Sequence, residues 1–172
     1  MLLVMDVGNT NIEIGIYKAD RLQYHWRIHT NRNATADEYG IILKNLLRDD
    51  GISAASIQGV AIATVVPPLK HVLQTMCRRH FDLAPLVIGP GVKTGLNIKY
   101  ENPREVGADR IVNAVAAIHT YGKPTIIVDF GTATTFCLVD DRGDYLGGVI
   151  APGIAVAAEA LVSRAAQLSW YE

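Results

Sequence analysis

The sequence predicts an α/β fold built from two related units, each with a mixed sheet flanked by helices, the second unit incomplete. Two observations carry this. The stretch Leu3-Val4-Met5-Asp6-Val7-Gly8-Asn9-Thr10 comes back as Ile126-Ile127-Val128-Asp129-Phe130-Gly131-Thr132-Ala133, and a second β-like run follows each copy. Around the copies, short β-branched runs bounded by Gly and Pro give way to stretches with the apolar spacing of amphipathic helices.

In chain order, Met1 to Met5 reads as a first strand. Ile12, Ile14 and Ile16, alternating with polar or small residues, make a second, and Leu22 to Ile28 a third, with Lys18-Ala19-Asp20-Arg21 as the turn between them. Thr35 is a good N-cap with Glu38 in the capping-box position, and the helix that follows carries Tyr39, Ile42, Leu43, Leu46 and Leu47 on one face until Gly51 ends it. Val60 to Val66 is a strand stopped by Pro67-Pro68; a helix through Leu69, Val72, Leu73 and Met76 runs to about His80, and Leu86-Val87-Ile88 closes the unit. A helix from about Arg110 to Tyr121, stopped by Gly122-Lys123-Pro124, leads to strands at Thr125 to Val128, Thr134 to Val139 and Tyr145 to Ile150, with Asp141-Arg142-Gly143-Asp144 as a turn. An Ala-rich helix from Ile154 to about Gln167 comes last. A second unit built like the first still needs a strand, a helix and a further strand, so the expectation is a sheet with an uncovered face. The expected domains are residues 1–118 and 119–172.

Composition narrows the function. Apolar residues make up 49% of the 172 residues, enough for a packed core. Sixteen basic and seventeen acidic residues, without a block of like charge, remove the electrostatic case for nucleic acid or a membrane surface. Cys77 and Cys137 lie outside any C-x-x-C or Cys/His cluster and read as small buried hydrophobes in a reducing compartment. The histidines lack metal-ligand spacing. Trp26 and Trp170 read as core or interface aromatics. No apolar run reaches membrane-spanning length, and the expected location is the cytoplasm.

The repeated Asp-x-Gly-(Asn/Thr) turns carry the chemistry. Gly8 and Gly131 let backbone N–H groups approach a phosphate, and Asn9, Thr10, Thr132 and Thr134 offer short polar side chains to its oxygens. A carboxylate repels phosphate, so the partner of Asp6 or Asp129 is a cation that bridges the two. Between the units lie Tyr100-Glu101-Asn102-Pro103 and Gly107-Ala108-Asp109-Arg110. Asp109 can accept a hydroxyl proton and Arg110 can pair with an anion; equally, Asp109 can cap the next helix with Arg110 on its exposed face. The phosphate-binding motif G-x-x-x-x-G-K-(S/T) does not occur in the sequence.

Asp6-Val7-Gly8-Asn9-Thr10-Asn11, Gly107-Ala108-Asp109-Arg110, Asp129-Phe130-Gly131-Thr132-Ala133-Thr134-Thr135 and Gly147-Gly148-Val149-Ile150-Ala151-Pro152-Gly153 together resemble the type III pantothenate kinases. That family lies in the acetate kinase, sugar kinase, Hsp70 and actin superfamily, so the resemblance implies two ribonuclease-H-like (actin-like ATPase) domains. It also implies phosphorylation of pantothenate by ATP, the entry step to coenzyme A, by a homodimer that uses Mg²⁺ or another divalent cation and a monovalent one, K⁺ or NH₄⁺. Residue by residue, Asp6, Val7, Gly8, Asn9, Thr10, Asn11, Ile12 and Glu13 would form the first phosphate-binding hairpin, Asp6 helping to hold Mg²⁺. Asp109 would be the base. Tyr100, Gly107, Ala108, Asp109 and Arg110 would line the pantothenate pocket, Arg110 meeting the carboxylate. Asp129 would bind the monovalent cation and Thr132 the ATP phosphates. Two other functions compete: a non-catalytic nucleotide-binding regulator of the same fold, and a phosphatase of the same superfamily.

Overall fold

The computed structural model describes residues 1–89 and 91–164. Pro90 of Gly89-Pro90-Gly91, the expected helical turn out to Gln167, and Trp170 lie outside the described residues. The chain divides into two compact units, Met1–Val92 with Gly107–Asp109 and Lys93–Val106 with Arg110–Glu172.

The first unit follows the expected order of elements: β1 (Leu2–Val7), β2 (Asn11–Lys18), β3 (Arg21–His29), α1 (Ala36–Asp49), β4 (Gly59–Thr64), α2 (Pro67–Phe81) and β5 (Leu86–Val87). The sheet runs β3-β2-β1-β4-β5, with β1 antiparallel to β2, β2 to β3, and β1 parallel to β4, which is parallel to β5. It is therefore mixed. Period-two alternation explains its core: Leu3, Met5 and Val7 of β1 and Ile12, Ile14 and Ile16 of β2 are buried with Tyr39, Leu43 and Leu47 of α1 and Leu69, Leu73 and Met76 of α2. Each such aliphatic side chain contributes roughly 1.5–3 kcal/mol on leaving water.

Both helices begin where the sequence says they must. At α1 the Glu38 N–H donates to Thr35 Oγ1 at 3.3 Å while the Thr35 N–H donates to Glu38 Oε2 at 2.6 Å, the reciprocal capping box. The Thr35 N–H, and after it the Thr35 hydroxyl, which donates to Glu38 Oε2 at 2.8 Å, hold the Glu38 carboxyl below its ordinary range. α2 starts on Pro67, whose missing N–H costs nothing in a first turn, and ends on Asp82 in the left-handed region at φ 53°. One expectation fails: Ile42 is exposed, because the buried stripe of α1 runs through Tyr39, Leu43 and Leu47 and leaves Ile42 to one side.

The second unit contains β6 (Asn97–Ile98), most of α3 (Ala108–Tyr121), β7 (Thr125–Phe130), β8 (Ala133–Val139), β9 (Asp144–Pro152) and α4 (Ile154–Arg164). Its sheet order is β6-β9-β8-β7, with β6 parallel to β9 and the other pairs antiparallel. The short strand β6 is absent from the sequence reading. The turn between β8 and β9 is where it was expected, fastened by the Asp144 N–H to Asp140 Oδ1 at 2.8 Å and the Arg142 N–H to the same oxygen at 3.0 Å. One face of this sheet is open and apolar: Ile126, Phe130 and Val149 are 67%, 68% and 65% exposed, beside Val128, Phe136 and Leu138.

The two hairpins of the repeat differ by one residue. In the first, Val7 pairs with Ile12 around a loop of Gly8, Asn9, Thr10 and Asn11. In the second, Phe130 pairs with Thr134 around Gly131, Thr132 and Ala133.

Candidate functional site

In the first unit Asp6 is the penultimate residue of β1, its Cα opposite Glu13 on β2 and Ala63 on β4. The loop beyond it is tied down by the Gly8 N–H to the Asn11 carbonyl at 3.0 Å and by the Thr30 N–H to the Thr10 carbonyl at 2.8 Å. Buried Thr30 adds its hydroxyl, which donates to the Gly8 carbonyl at 2.8 Å. These bonds leave Asn9 and Thr10 exposed at the tip, while Val7 and Ile12 anchor the hairpin in the core. Two residues not anticipated from sequence join the turn. Thr30 is one; Arg32 is the other, its Nη2 donating to Asn9 Oδ1 at 2.8 Å. Glu13 takes the Arg27 guanidinium by its Nε and lies 2.7 Å from His25 Nε2, so its charge is answered from β3.

Asp109 also belongs to this unit. α3 begins at Ala108, which puts Asp109 inside the first turn and not at the cap, where its charge favours the positive end of the helix dipole. Its carboxylate folds back over Gly107: a Cβ there would lie 2.4 Å from Asp109 Oδ1 and 3.5 Å from Val65 Cγ1. A side chain at position 107 would therefore have to displace the Asp109 carboxylate from this position.

In the second unit Asp129 is half-buried near the end of β7, and Asn113 Nδ2 of α3 donates to its Oδ2 at 3.2 Å. The neighbouring turn closes through the Gly131 N–H to the Ala133 carbonyl at 3.0 Å and the Gly153 N–H to the Thr132 carbonyl at 3.1 Å. A Cβ on Gly153 would come within 2.2 Å of the Gly131 carbonyl oxygen, so only glycine fits. Thr132 stands exposed at the tip. Thr134 does not: it is buried, and its hydroxyl donates to the Pro152 carbonyl at 3.3 Å, which gives it a structural role in place of the expected phosphate contact.

Tyr100 and Arg110 are brought to adjacent glycines of β9. The Tyr100 ring packs on Gly147, where a Cβ would meet its Cδ2 at 3.0 Å. Arg110 packs at Gly148, where a Cβ would meet its Nη2 at 2.6 Å. Arg110 is half-buried, its Nε donating to Cys137 Sγ at 3.2 Å and its Cζ 5.8 Å from the centroid of the Tyr145 ring, so the exposed-face alternative for it is wrong. Cys137 is buried as expected, yet it is more than a hydrophobe, since it also accepts the Tyr145 hydroxyl at 3.4 Å.

The donor chemistry suits hard cations. Mg²⁺ usually keeps several waters and takes one or two carboxylates with substrate phosphates, and Asp6 is a carboxylate that precedes a loop bearing amides and hydroxyls. Asp129 has its Oδ2 engaged by Asn113 Nδ2, and a carboxylate is an oxygen donor of the kind that hard cations take. Among the described residues no three His, Cys, Asp or Glu side chains converge as an all-protein metal cage. None of the described helices is long and apolar enough to cross a membrane.

Residues 2–172 match the family described as type III pantothenate kinase. Among solved structures, the chain is similar to a Sinorhizobium meliloti protein described as a 2-dehydro-3-deoxygalactonokinase, at 13% identity and a TM-score of 0.59, covering 98% of this chain and 57% of that one. The type II variant of the Aquifex aeolicus Ppx/GppA phosphatase matches at 14% identity and a TM-score of 0.54, over 93% and 55% of the two chains. An activator of 2-hydroxyisocaproyl-CoA dehydratase from Clostridium difficile, solved with bound ADPNP, matches at 12% identity and a TM-score of 0.53, over 98% and 53%. These likenesses establish the fold, that of the actin-like ATPases and sugar kinases. The chain spans about half the length of the structures it matches.

Proposed function

The chain belongs to the type III pantothenate kinase family, and from that premise we propose that the protein moves the γ-phosphoryl group of ATP to the hydroxyl of pantothenate, the first step toward coenzyme A. The observation that carries the reading is the family match along residues 2–172, together with two Asp-x-Gly hairpins whose tips expose short polar side chains.

Phosphoryl transfer asks the protein for positioning and charge stabilisation more than covalent chemistry. In this reading the turn from Asp6 to Glu13 and Thr132 of the second turn hold the ATP phosphates through N–H and hydroxyl donors. Asp109 accepts the proton of the pantothenate hydroxyl, oriented by its fold over Gly107. Arg110 pairs with the pantothenate carboxylate, with Tyr100, Gly107 and Ala108 beside it. Asp6 would hold the divalent cation and Asp129 the monovalent one; when bound, both supply positive charge where the chain has no P-loop lysine. A homodimer is part of the same reading.

The test is ADP release by the purified chain with ATP, Mg²⁺ and K⁺, with and without pantothenate. Release that depends on pantothenate, and that falls by roughly 10²–10⁴ in Asp109→Asn, is the expected outcome for loss of a general base. Near wild-type turnover in that variant would remove Asp109 from the mechanism. ADP release indifferent to pantothenate would point to a hydrolase instead.

A further inference from the structure

We propose that Asp144 is a positioning residue for Tyr100: its carboxylate fixes the register of β6 on β9 and so seats the Tyr100 ring on Gly147. The inference rests on the reading above that Tyr100 lines the pantothenate pocket.

A strand as short as β6 needs such a device. Its two residues make only the pairs Asn97 with Asp144 and Ile98 with Tyr145, continued by one bond from the Lys99 N–H to the Tyr145 carbonyl at 2.8 Å. Register is ordinarily specified by an alternation of buried apolar residues, and two residues are too few to carry one. Side chains supply what the ladder lacks. Asn97 Nδ2 donates to Asp144 Oδ1 at 2.7 Å, a charge-assisted bond between directly paired residues, and Lys99 Nζ lies 3.9 Å from Asp144 Oδ2. The lysine is exposed and its ion pair adds little by itself, so the bond to Asn97 is the main tie.

The carboxylate is held in its turn. Asp144 is largely buried, its N–H donates to Asp140 Oδ1 at 2.8 Å and its carbonyl accepts the Asp140 N–H at 3.0 Å, which fixes it at the β8–β9 turn. Because β6 and β9 run parallel, counting two residues on from Ile98 and Tyr145 reaches Tyr100 and Gly147. That is where the ring lies: a Cβ on Gly147 would meet Tyr100 Cδ2 at 3.0 Å and Cε2 at 3.2 Å. Gly147 has φ 118°, a conformation that favours glycine, so the place opposite Tyr100 is free of a side chain. A slip of one residue would carry the ring to Leu146, or to Gly148 where Arg110 Nη2 is already packed. All of these residues belong to the second unit. Asp144 acts on the acceptor only through β6 and Tyr100.

The test uses the full 172-residue chain. In its NMR spectrum a nuclear Overhauser contact between the Tyr100 ring protons and the Gly147 α-protons is expected, and Asn97→Ala and Asp144→Ala should each lose most of its intensity. Asn97 is exposed, so Asn97→Ala carries the test if Asp144→Ala does not fold. Kinetics then read the consequence. Asn97→Ala and Tyr100→Ala should each raise the pantothenate KM by about tenfold, Asn97→Ala with kcat and the ATP KM unchanged. The double variant should be no worse than Tyr100→Ala alone, because the tie works only through that ring. A contact that survives in both Asn97→Ala and Asp144→Ala overturns the proposal, and so does a double variant whose effects add. If Tyr100→Ala raises the pantothenate KM while Asn97→Ala leaves it unchanged, the positioning role falls and the role of Tyr100 stands. If Tyr100→Ala leaves that KM unchanged, the role of Tyr100 falls, and with it the part of Asp144 in acceptor binding.

Discussion

His80 lies across Gly40: its ring packs so closely on α1 that a Cβ at position 40 would sit 2.3 Å from His80 Cδ2, while His80 Nε2 stays 2.9 Å from Asp37 Oδ1. Gly40→Ala must displace that ring, and we expect the overpacking to cost about 1–3 kcal/mol. In a domain of this size that lowers Tm by roughly 2–4 °C per kcal/mol, measured by calorimetry. An unchanged Tm would mean that the ring can yield freely. Burial acts differently at Cys77, whose thiol is pushed up to about 11. The native protein should therefore leave Cys77 unreacted toward a thiol reagent at pH 8, and denaturant should release it; rapid native labelling at that position would contradict its burial. At this scale the sequence shows residue types but not partners. Asp6, Asp109 and Asp129 stand out as carboxylates beside glycines. That Asn113 would reach Asp129, or Arg32 the tip at Asn9, depends on elements far apart in the chain, which no local spacing encodes.

For single elements, local chemistry was the better guide. The Thr35-x-x-Glu38 box, Pro67 at the start of α2 and the turn at Asp141 to Asp144 are each legible because their hydrogen bonds close within a few residues. β6 is not, because two residues make a strand only when β9 is beside them. The box also has a pH signature. The carboxyl of Glu38 is depressed in the folded chain, so its contribution is present above the unfolded carboxylate range and is lost as pH falls through the folded value. Thr35→Ala should destabilise by about 0.5–2 kcal/mol at neutral pH. Glu38→Gln should flatten part of the acid limb of a Tm-against-pH curve, and an acid limb identical to wild type would show that the depressed carboxyl does not couple to folding.

For the whole molecule, the repeat was legible as two strands with the same turn, and the mixed sheets followed from it. What could not be read was the pairing register, since both copies present the same alternation and only the cross-strand partner decides it. The open face of the second sheet is a consequence that can be measured. Patches of this kind are rarely bare on a soluble monomer, and we expect the folded chain to bind an apolar fluorescent dye that Phe130→Ser and Val128→Ser displace. No binding by the native protein would mean that the face is covered in solution.

The tighter second hairpin carries a lesson for anyone grafting one half of this protein onto the other. Strand parity works like a reading frame: Cys137 and Val139 point inward because Thr134, and not the residue after it, faces Phe130. A slip of the pairing by one residue at that turn would turn Phe136 and Leu138 toward the interior and Cys137 away from Arg110. The two copies share a motif but are not interchangeable parts.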